Sequence, residues 1–452
     1  MRHLPLLLLL TTLTTLAAPT PKYIFLFIGD GMSLPQRMTA EEVAKALGEP
    51  QLEMNHLPHQ AVTTTRSANS LVTDSAASGT AIACGEKTYN GAIGLDQTGT
   101  NRLQSCAEAA KAAGRKIGIL TTVTLNHATP AAFYGHQRNR GMGYELGLDL
   151  IASEFDLFAG GGISNHNNKH SPRYQGDIYH LAPSNGYTLV QDPNAFRALK
   201  PGCGKVLATL AKDALPYAID RQNQDIPLSE ILQKAIDLLD NPNGFFIMTE
   251  GGKIDWQCHA NDAATAARET IDLNQAVRTA LAFASQHPDE TLIMVTGDHE
   301  TGGLTMGFAG TGYAIYPDRL LCQTCSRDQF MSQAKSVSNA EELRELITRS
   351  FGLVYESGHK LSLTPAEQIQ LDAARQRKDK PGENQPYVQD EGRLASCAIR
   401  IFNNKCGLAW TSGAHTALPV MTTAKGCGAE QFTGMMDNTD ISRRIKALLQ
   451  NR

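Results

Sequence analysis

Short unbroken apolar runs, rather than alternating ones, organise this chain. Residues 23–28 end in Gly29-Asp30-Gly31, and residues 116–123 lead to Asn126-His127-Ala128-Thr129-Pro130. Residues 245–249 end in Glu250-Gly251-Gly252, and residues 291–296 in Gly297-Asp298-His299-Glu300. Runs this short with no polar face predict strands buried on both sides. Between them, residues 103–113, 228–239 and 263–285 are alanine-rich or amphipathic and predict helices. Strand and helix in alternation predict an α/β fold, doubly wound, with a mostly parallel central sheet and helices on both faces. Such sheets bind ligands beyond the carboxyl ends of their strands, which is where Asp30, Thr129, Glu250, Asp298 and His299 fall. From about 303 to 410 the pattern loosens into Gly, Pro, Cys and charge, including the polar stretch 375–390. This reads as a loop-rich surface insertion carried by one domain spanning residues 19–452.

Residues 1–18 read differently. Arg2, a short apolar run over 4–10 and small residues up to Ala18 predict a secretory signal peptide, because the run is too short to cross a bilayer. Pro5 and the threonines that follow suit a buried helix poorly. No later run approaches the ~20 apolar residues of a membrane span, and no Cys follows Ala18 to carry a lipid, so no stable membrane association is expected. A net charge of −4, with 19% charged residues, offers no basic stripe for nucleic acid and no polybasic membrane anchor. Small-molecule chemistry is the default.

Nine cysteines in an exported chain predict disulfides, with at least one thiol left unpaired or paired with another chain. The nearest pairs are Cys322 with Cys325 and Cys397 with Cys406, and the connectivity is open. A redox site at Cys322-Gln323-Thr324-Cys325 lacks the surrounding βαβ pattern, and a zinc ribbon would have to span about 70 residues.

The acids and imidazoles then change the picture. Asp255 and His259 stand four apart, so on a helix they share a face and can hold one metal, although alone such a pair is more often a surface feature. Asp30 and Asp298-His299 each read alone as a Gly-Asp turn. Their convergence at the ends of parallel strands favours ligand sets instead. In Thr73-Asp74-Ser75-Ala76-Ala77-Ser78-Gly79, a helix beginning at Ala76 would put Ser75 at its positive end, favouring an alkoxide and a bound phosphate. The plain alternative makes Ser75 an N-cap. No His lies nearby in sequence, so a metal or a distant residue must activate Ser75. His166 and His170, in the loop 164–176, are expected to be exposed.

Taken together, these residues resemble the alkaline phosphatase family. The motifs are Ile28-Gly29-Asp30-Gly31-Met32, Thr73-Asp74-Ser75-Ala76-Ala77, Ala128-Thr129-Pro130-Ala131-Ala132, Glu250 through Asp255 with His259, Thr296-Gly297-Asp298-His299-Glu300 and Ser412-Gly413-Ala414-His415-Thr416. The resemblance implies phosphate monoester hydrolysis with broad substrate range through phosphorylated Ser75, and a homodimer exported to a bacterial periplasm, with the medium as alternative. It implies one zinc at Asp255, His259 and His415 and a second at Asp30, Asp298 and His299. Asp30 would bridge to a magnesium completed by Thr129 and Glu250. Arg140, rather than Arg138, would clamp the phosphate with its planar fork. Two positions depart from the best-known bacterial pattern: His127 stands in place of an Asp and Trp256 in place of a Lys. An imidazole beside the third site suits zinc or cobalt better than magnesium, and Trp256 adds no charge toward phosphate. The rival readings are a superfamily relative acting on diesters, sulfates or phosphonates, and a catalytically silent phosphate- or metal-binding protein.

Overall fold

A computed structural model of the chain describes residues 20–376 and 386–450; the expected signal peptide lies outside the described residues. In chain order the strands are β1 (Tyr23–Gly29), β2 (His59–Thr64), β3 (Lys116–Thr121), β4 (Leu157–Gly160), β5 (Tyr187–Val190), β6 (Lys205–Thr209), β7 (Phe245–Gly251) and β8 (Thr291–Gly297). There follow β9 (Glu300–Thr301), β10 (Leu304–Met306), β11 (Leu408–Trp410), β12 (His415–Thr416), β13 (Val420–Gly426) and β14 (Gly434–Asp437). Ten of them form one sheet in the order β14-β2-β13-β8-β1-β7-β3-β4-β6-β5. Within this sheet only β13 runs against its neighbours, β2 and β8; the other pairings of the sheet are parallel.

The unbroken apolar runs are explained by what covers them. Tyr23, Phe25 and Phe27 of β1 join one core, while Ile24, Leu26 and Ile28 join another across the sheet. Burying each such side chain contributes about 1.5–3 kcal/mol, so a polar residue on either face would be costly. Helices Leu228–Leu239 and Ala263–Gln286 supply the first core, and helices Ser75–Cys84, Cys106–Ala112 and Thr439–Gln450 the second. The fold is the α/β arrangement expected, and the apolar strands present their carboxyl ends at one edge.

Residues 303–410 differ from the loop-rich reading. They contain helices Pro317–Leu320, Arg327–Ala334, Ala340–Phe351, Pro365–Ala374 and Glu391–Cys406. Pro317 and Pro365 open helices instead of breaking them. Ser326, Asn339, Thr364 and Asp390 cap the amides three residues on. Leu346, Phe351, Leu394 and Phe402 pack into the same core as Phe25 and Phe27, so the segment extends that core.

No disulfide forms at Cys322, Cys325, Cys397 or Cys406, against expectation. Cys397 and Cys406 lie on one helix, Glu391–Cys406, nine residues apart (406 minus 397). That spacing is about 13.5 Å along the axis, well beyond the ~7 Å between Cα atoms that a disulfide bridges. All four thiols instead sit in the apolar core or against it.

Candidate active site

Asp30 follows β1 directly, and the turn beyond it depends on Gly31, whose φ is +71°. A Cβ on Gly31 would lie 2.9 Å from Asp255 Cα, so glycine allows helix Lys253–His259 to close against the end of β1. Asp298 and His299 follow β8, and Asp298 Oδ1 accepts the amides of Gly31 (3.0 Å) and His299 (2.9 Å). β9 pairs antiparallel with β12, joining His415 to Thr301 and bringing the last imidazole into the cluster.

Three donor groups result: Asp255, His259 and His415; Asp30, Asp298 and His299; and Asp30, His127 and Glu250. In the first, His259 Nε2 lies 3.3 Å from Asp255 Oδ2 and His415 Nε2 3.6 Å from Asp255 Oδ1. In the second, His299 Nε2 lies 3.1 Å from Asp298 Oδ2 and 3.4 Å from Asp30 Oδ1. In the third, Thr129 Oγ1 donates to Asp30 Oδ2 at 3.2 Å, and Thr121 Oγ1 donates to Glu250 Oε2.

The imidazole tautomers are set from outside the cluster. His259 Nδ1 bonds the Gly413 carbonyl at 2.7 Å and His415 Nδ1 the Thr73 carbonyl at 2.8 Å, so both must carry their proton on Nδ1. The two Nε2 atoms face each other at 3.1 Å, and in the neutral imidazoles both are free of the proton. His299 is fixed likewise, since Thr301 Oγ1 donates to Asp255 Oδ1 at 2.6 Å and accepts from His299 Nδ1 at 3.2 Å. Asp30 Oδ1, Asp298 Oδ2, Glu250 Oε1 and His127 Nδ1 are buried with no hydrogen-bond partner. Lone pairs aimed at lone pairs, and orphaned carboxylate oxygens out of water, are stabilised by cations between them. The donor set fits metal ions.

Electrostatics agree. Burial, then the charges of Asp298, Asp255 and Glu250, push the Asp30 carboxyl well above its ordinary range. Burial pushes Glu250 up to about 8. His415 is pushed down to about 4 by burial and by His299, and His127 down to about 4 by burial and by Arg140.

Ser75 is the first residue of helix Ser75–Cys84, and the N-cap is Asp74, which accepts from Ala77 N at 3.0 Å. The plain N-cap reading of Ser75 therefore gives way. Its hydroxyl stands 3.2 Å from His299 Nε2, 2% of the residue exposed, at the positive end of the helix. Arg140 Nη1 reaches Asp74 Oδ2 at 3.2 Å and Nη2 lies 3.3 Å from His127 Nε2. Arg138 instead donates to the Gly99 carbonyl at 3.0 Å, on an exposed loop. Trp256 stands edge-on to His127, ring centroids 6.1 Å apart, so these two departures meet each other beside the third group. His170 is exposed, whereas His166 is held by Asp177 at 3.0 Å.

Sequence reasoning missed three supports: Asp74, which ties Arg140 to the serine helix; Thr121, which holds Glu250; and Thr301, which orients Asp255 and His299. An Asp directly before a helix-initiating Ser signals a cap, and only Asp74 carried such a local signal.

A family model described as Alkaline phosphatase matches residues 21–451. Alkaline phosphatase 4 of Bacillus subtilis (strain 168) is 33% identical over 84% of this chain and 77% of its own length. The solved cold-active alkaline phosphatase of a psychrophilic Shewanella sp. aligns with a TM-score of 0.81 at 29% identity, over 94% of this chain and 99% of that one. A histidine-to-aspartate variant of the enzyme from the Antarctic bacterium TAB5, solved with magnesium in its M3 site, aligns with a TM-score of 0.67 at 26% identity, over 96% and 99%. A match of this extent, on a chain that gathers three donor groups, one of them 3.2 Å from a buried serine, makes the protein a phosphatase, and the chain belongs to the alkaline phosphatase family.

Proposed function

We propose that the protein hydrolyses phosphate monoesters through a phosphoserine at Ser75. The observation that carries this reading is Ser75 Oγ, set at a helix N-terminus against His299 Nε2 inside a cluster of bare nitrogens and orphaned carboxylate oxygens. Asp255, His259 and His415 would hold one zinc, and Asp30, Asp298 and His299 the second. Asp30, Thr129 and Glu250 would hold a magnesium, or with His127 turned toward it a zinc or cobalt. Bound there, the ions supply positive charge for both the attacking and the departing oxygen of an in-line displacement.

The chain's own residues do the rest. The helix dipole favours the Ser75 alkoxide as it attacks phosphorus. Arg140, steadied by Asp74, receives two non-bridging oxygens in its fork. The leaving alcohol would depart toward the group formed by Asp255, His259 and His415. Water then enters from that side, attacks the phosphoserine and releases inorganic phosphate. Little of this depends on the organic group, which supports broad tolerance at the reacting centre. Arg140, Thr129 and Glu250 suit a dianionic phosphoryl group and so favour a monoesterase over a diesterase. Export after loss of residues 1–18, to a periplasm or the medium, and assembly as a homodimer belong to the same reading, supported by the apolar leader and by family membership.

The test sets p-nitrophenyl phosphate against bis(p-nitrophenyl) phosphate. Monoester turnover exceeding diester turnover by at least about a hundredfold is expected; the reverse preference, or no turnover of either, would reject the reading.

A further inference from the structure

A cavity of about 990 Å³ opens beside the first donor group. His259 and Trp256 line it, with Trp410 and Phe308 from the flanking segments, and so do Arg327, Arg393 and Arg400. In the phosphomonoesterase reading the group of Asp255, His259 and His415 would receive the leaving oxygen, and His259 also lines this cavity.

The cavity's composition changes with distance from the metal ligands. Aromatic groups cluster at the near end: a Cβ on Gly302 would lie 2.4 Å from Trp410 Cε3 and 2.9 Å from the Cys258 carbonyl, which puts Trp410 next to His259. Charge lies farther out. Arg393, Ser396, Arg400 and Asn403 recur every three or four residues along helix Glu391–Cys406 and share one face. Asn403 ties that helix to the site, its Nδ2 donating at 2.6 Å to the carbonyl of Asn261, two residues beyond His259. From that anchor Arg400 stands about 4.5 Å and Arg393 about 15 Å along the axis, at ~1.5 Å per residue.

Several arginines elsewhere in the molecule are paired with carboxylates: Arg197 with Glu230 at 2.7 Å, Arg221 with Asp272 at 2.8 Å and Arg278 with Glu53 at 2.6 Å. In the cavity, Arg393 Nη1 donates to the Gln376 carbonyl, Arg400 Nη2 to the Gln370 amide oxygen and toward Cys397 Sγ, and Arg327 Nη2 to the Gly392 carbonyl at 3.5 Å, with Asp328 at 3.9 Å. Among the described residues, neither Arg393 nor Arg400 has a carboxylate within salt-bridge distance. Guanidinium groups concentrated without counter-ions form an anion site.

We propose, resting on the phosphomonoesterase reading, that this cavity selects substrates whose leaving group is nucleoside-sized, presents a flat ring to Trp256 and Trp410, and ends in a second phosphate held by Arg400 and Arg393. The class is that of nucleoside bisphosphates. One phosphate ester bond is cleaved by water to give inorganic phosphate and the nucleoside monophosphate; the second phosphate serves only as a handle.

The test compares initial-rate kcat/KM for adenosine 3′,5′-bisphosphate, adenosine 3′- and 5′-monophosphates and p-nitrophenyl phosphate. The metal-loaded wild type and the double variant Arg393→Ala/Arg400→Ala are both assayed, with Arg393→Lys/Arg400→Lys as the charge-keeping control. The wild type is expected to favour the bisphosphate over either monophosphate by at least about tenfold. The alanine variant is expected to lose that preference through KM, and the lysine variant to keep part of it. Equal kcat/KM for the three adenosine substrates in the wild type, or a preference unchanged in the alanine variant, overturns the inference while p-nitrophenyl phosphate turnover leaves the phosphomonoesterase reading standing. Failure to hydrolyse any of the four overturns both.

Discussion

Two donor groups share this cleft and differ in how far water reaches them. Asp30, Asp298 and His299 are 0% exposed, whereas the His259 side chain is 39% and the His415 side chain 13% exposed beside Asp255. The buried group sits where β1 and β8 end, its atoms fixed by the sheet. The outer group is assembled from a short helix and the two-stranded pairing of β9 with β12, at the mouth of the arginine cavity. Uncompensated charge costs most where water is excluded. The inner group therefore ties metal binding to stability, and the outer group ties it to substrate exchange.

The sharpest way to break that comparison is to delete one ligand from each group. In the zinc-loaded protein, Asp298→Ala and His259→Ala are both expected to lower kcat/KM by roughly a thousandfold or more. Only Asp298→Ala should also remove a large part of the fold's stability, about 2–4 kcal/mol against under about 1 kcal/mol for His259→Ala. Thermal unfolding of both variants checks it, and equal losses of Tm would erase the distinction.

A smaller effect separates the two arginines of His136-Gln137-Arg138-Asn139-Arg140. Arg140→Ala should raise KM and the inhibition constant for phosphate by about 10- to 100-fold, whereas Arg138→Ala should change neither by more than about twofold. Steady-state kinetics with phosphate as inhibitor decides this.

Metal removal sharpens the comparison through pH. In the stripped protein Glu250 holds its proton up to about 8, far above its unfolded value. The folded state then binds more protons than the unfolded one between the ordinary carboxylate range, about 4, and about 8. This contribution to stability is fully present below that window and is lost as pH rises through it. Stability of the stripped protein, followed as Tm, should fall between about pH 6.5, above which His127 and His415 are neutral folded or unfolded, and about pH 8, by on the order of 1 kcal/mol per pH unit, and added metal should flatten the slope. A slope unchanged by metal would remove Glu250 from metal binding.

The smallest expected effect is at the third group. His127→Asp with Trp256→Lys should raise magnesium activation and tighten phosphate inhibition by a few-fold, roughly 1 kcal/mol, while the wild type responds more to zinc or cobalt. Parallel metal titrations measure both responses.

Much of this was legible in the sequence, because Asp30, Glu250, Asp298 and His299 directly follow runs whose burial on both faces is written in their lack of polar positions. Ser75 announced itself through the small residues of its helix. What stayed hidden acts across long separations: Thr301 is 46 residues from Asp255 and Thr121 is 129 from Glu250, and no local pattern marks such a hydrogen bond. The helices of 303–410 were masked by their own punctuation, since Pro317 and Pro365 begin helices and Gly352 and Gly407 end them in left-handed turns. Cys397 and Cys406 read as a staple until one helix was seen to hold them both.

The central claim is that Ser75 carries the phosphoryl group between two steps. Acid-quenching the metal-loaded enzyme during turnover of phosphate-labelled substrate, followed by peptide mass analysis, tests it directly. The account predicts label on Ser75 in the wild type. In Ser75→Ala it predicts no label and turnover lowered by about a thousandfold or more, with metal content unchanged by elemental analysis. Label on any other residue, or undiminished turnover in Ser75→Ala, would contradict it.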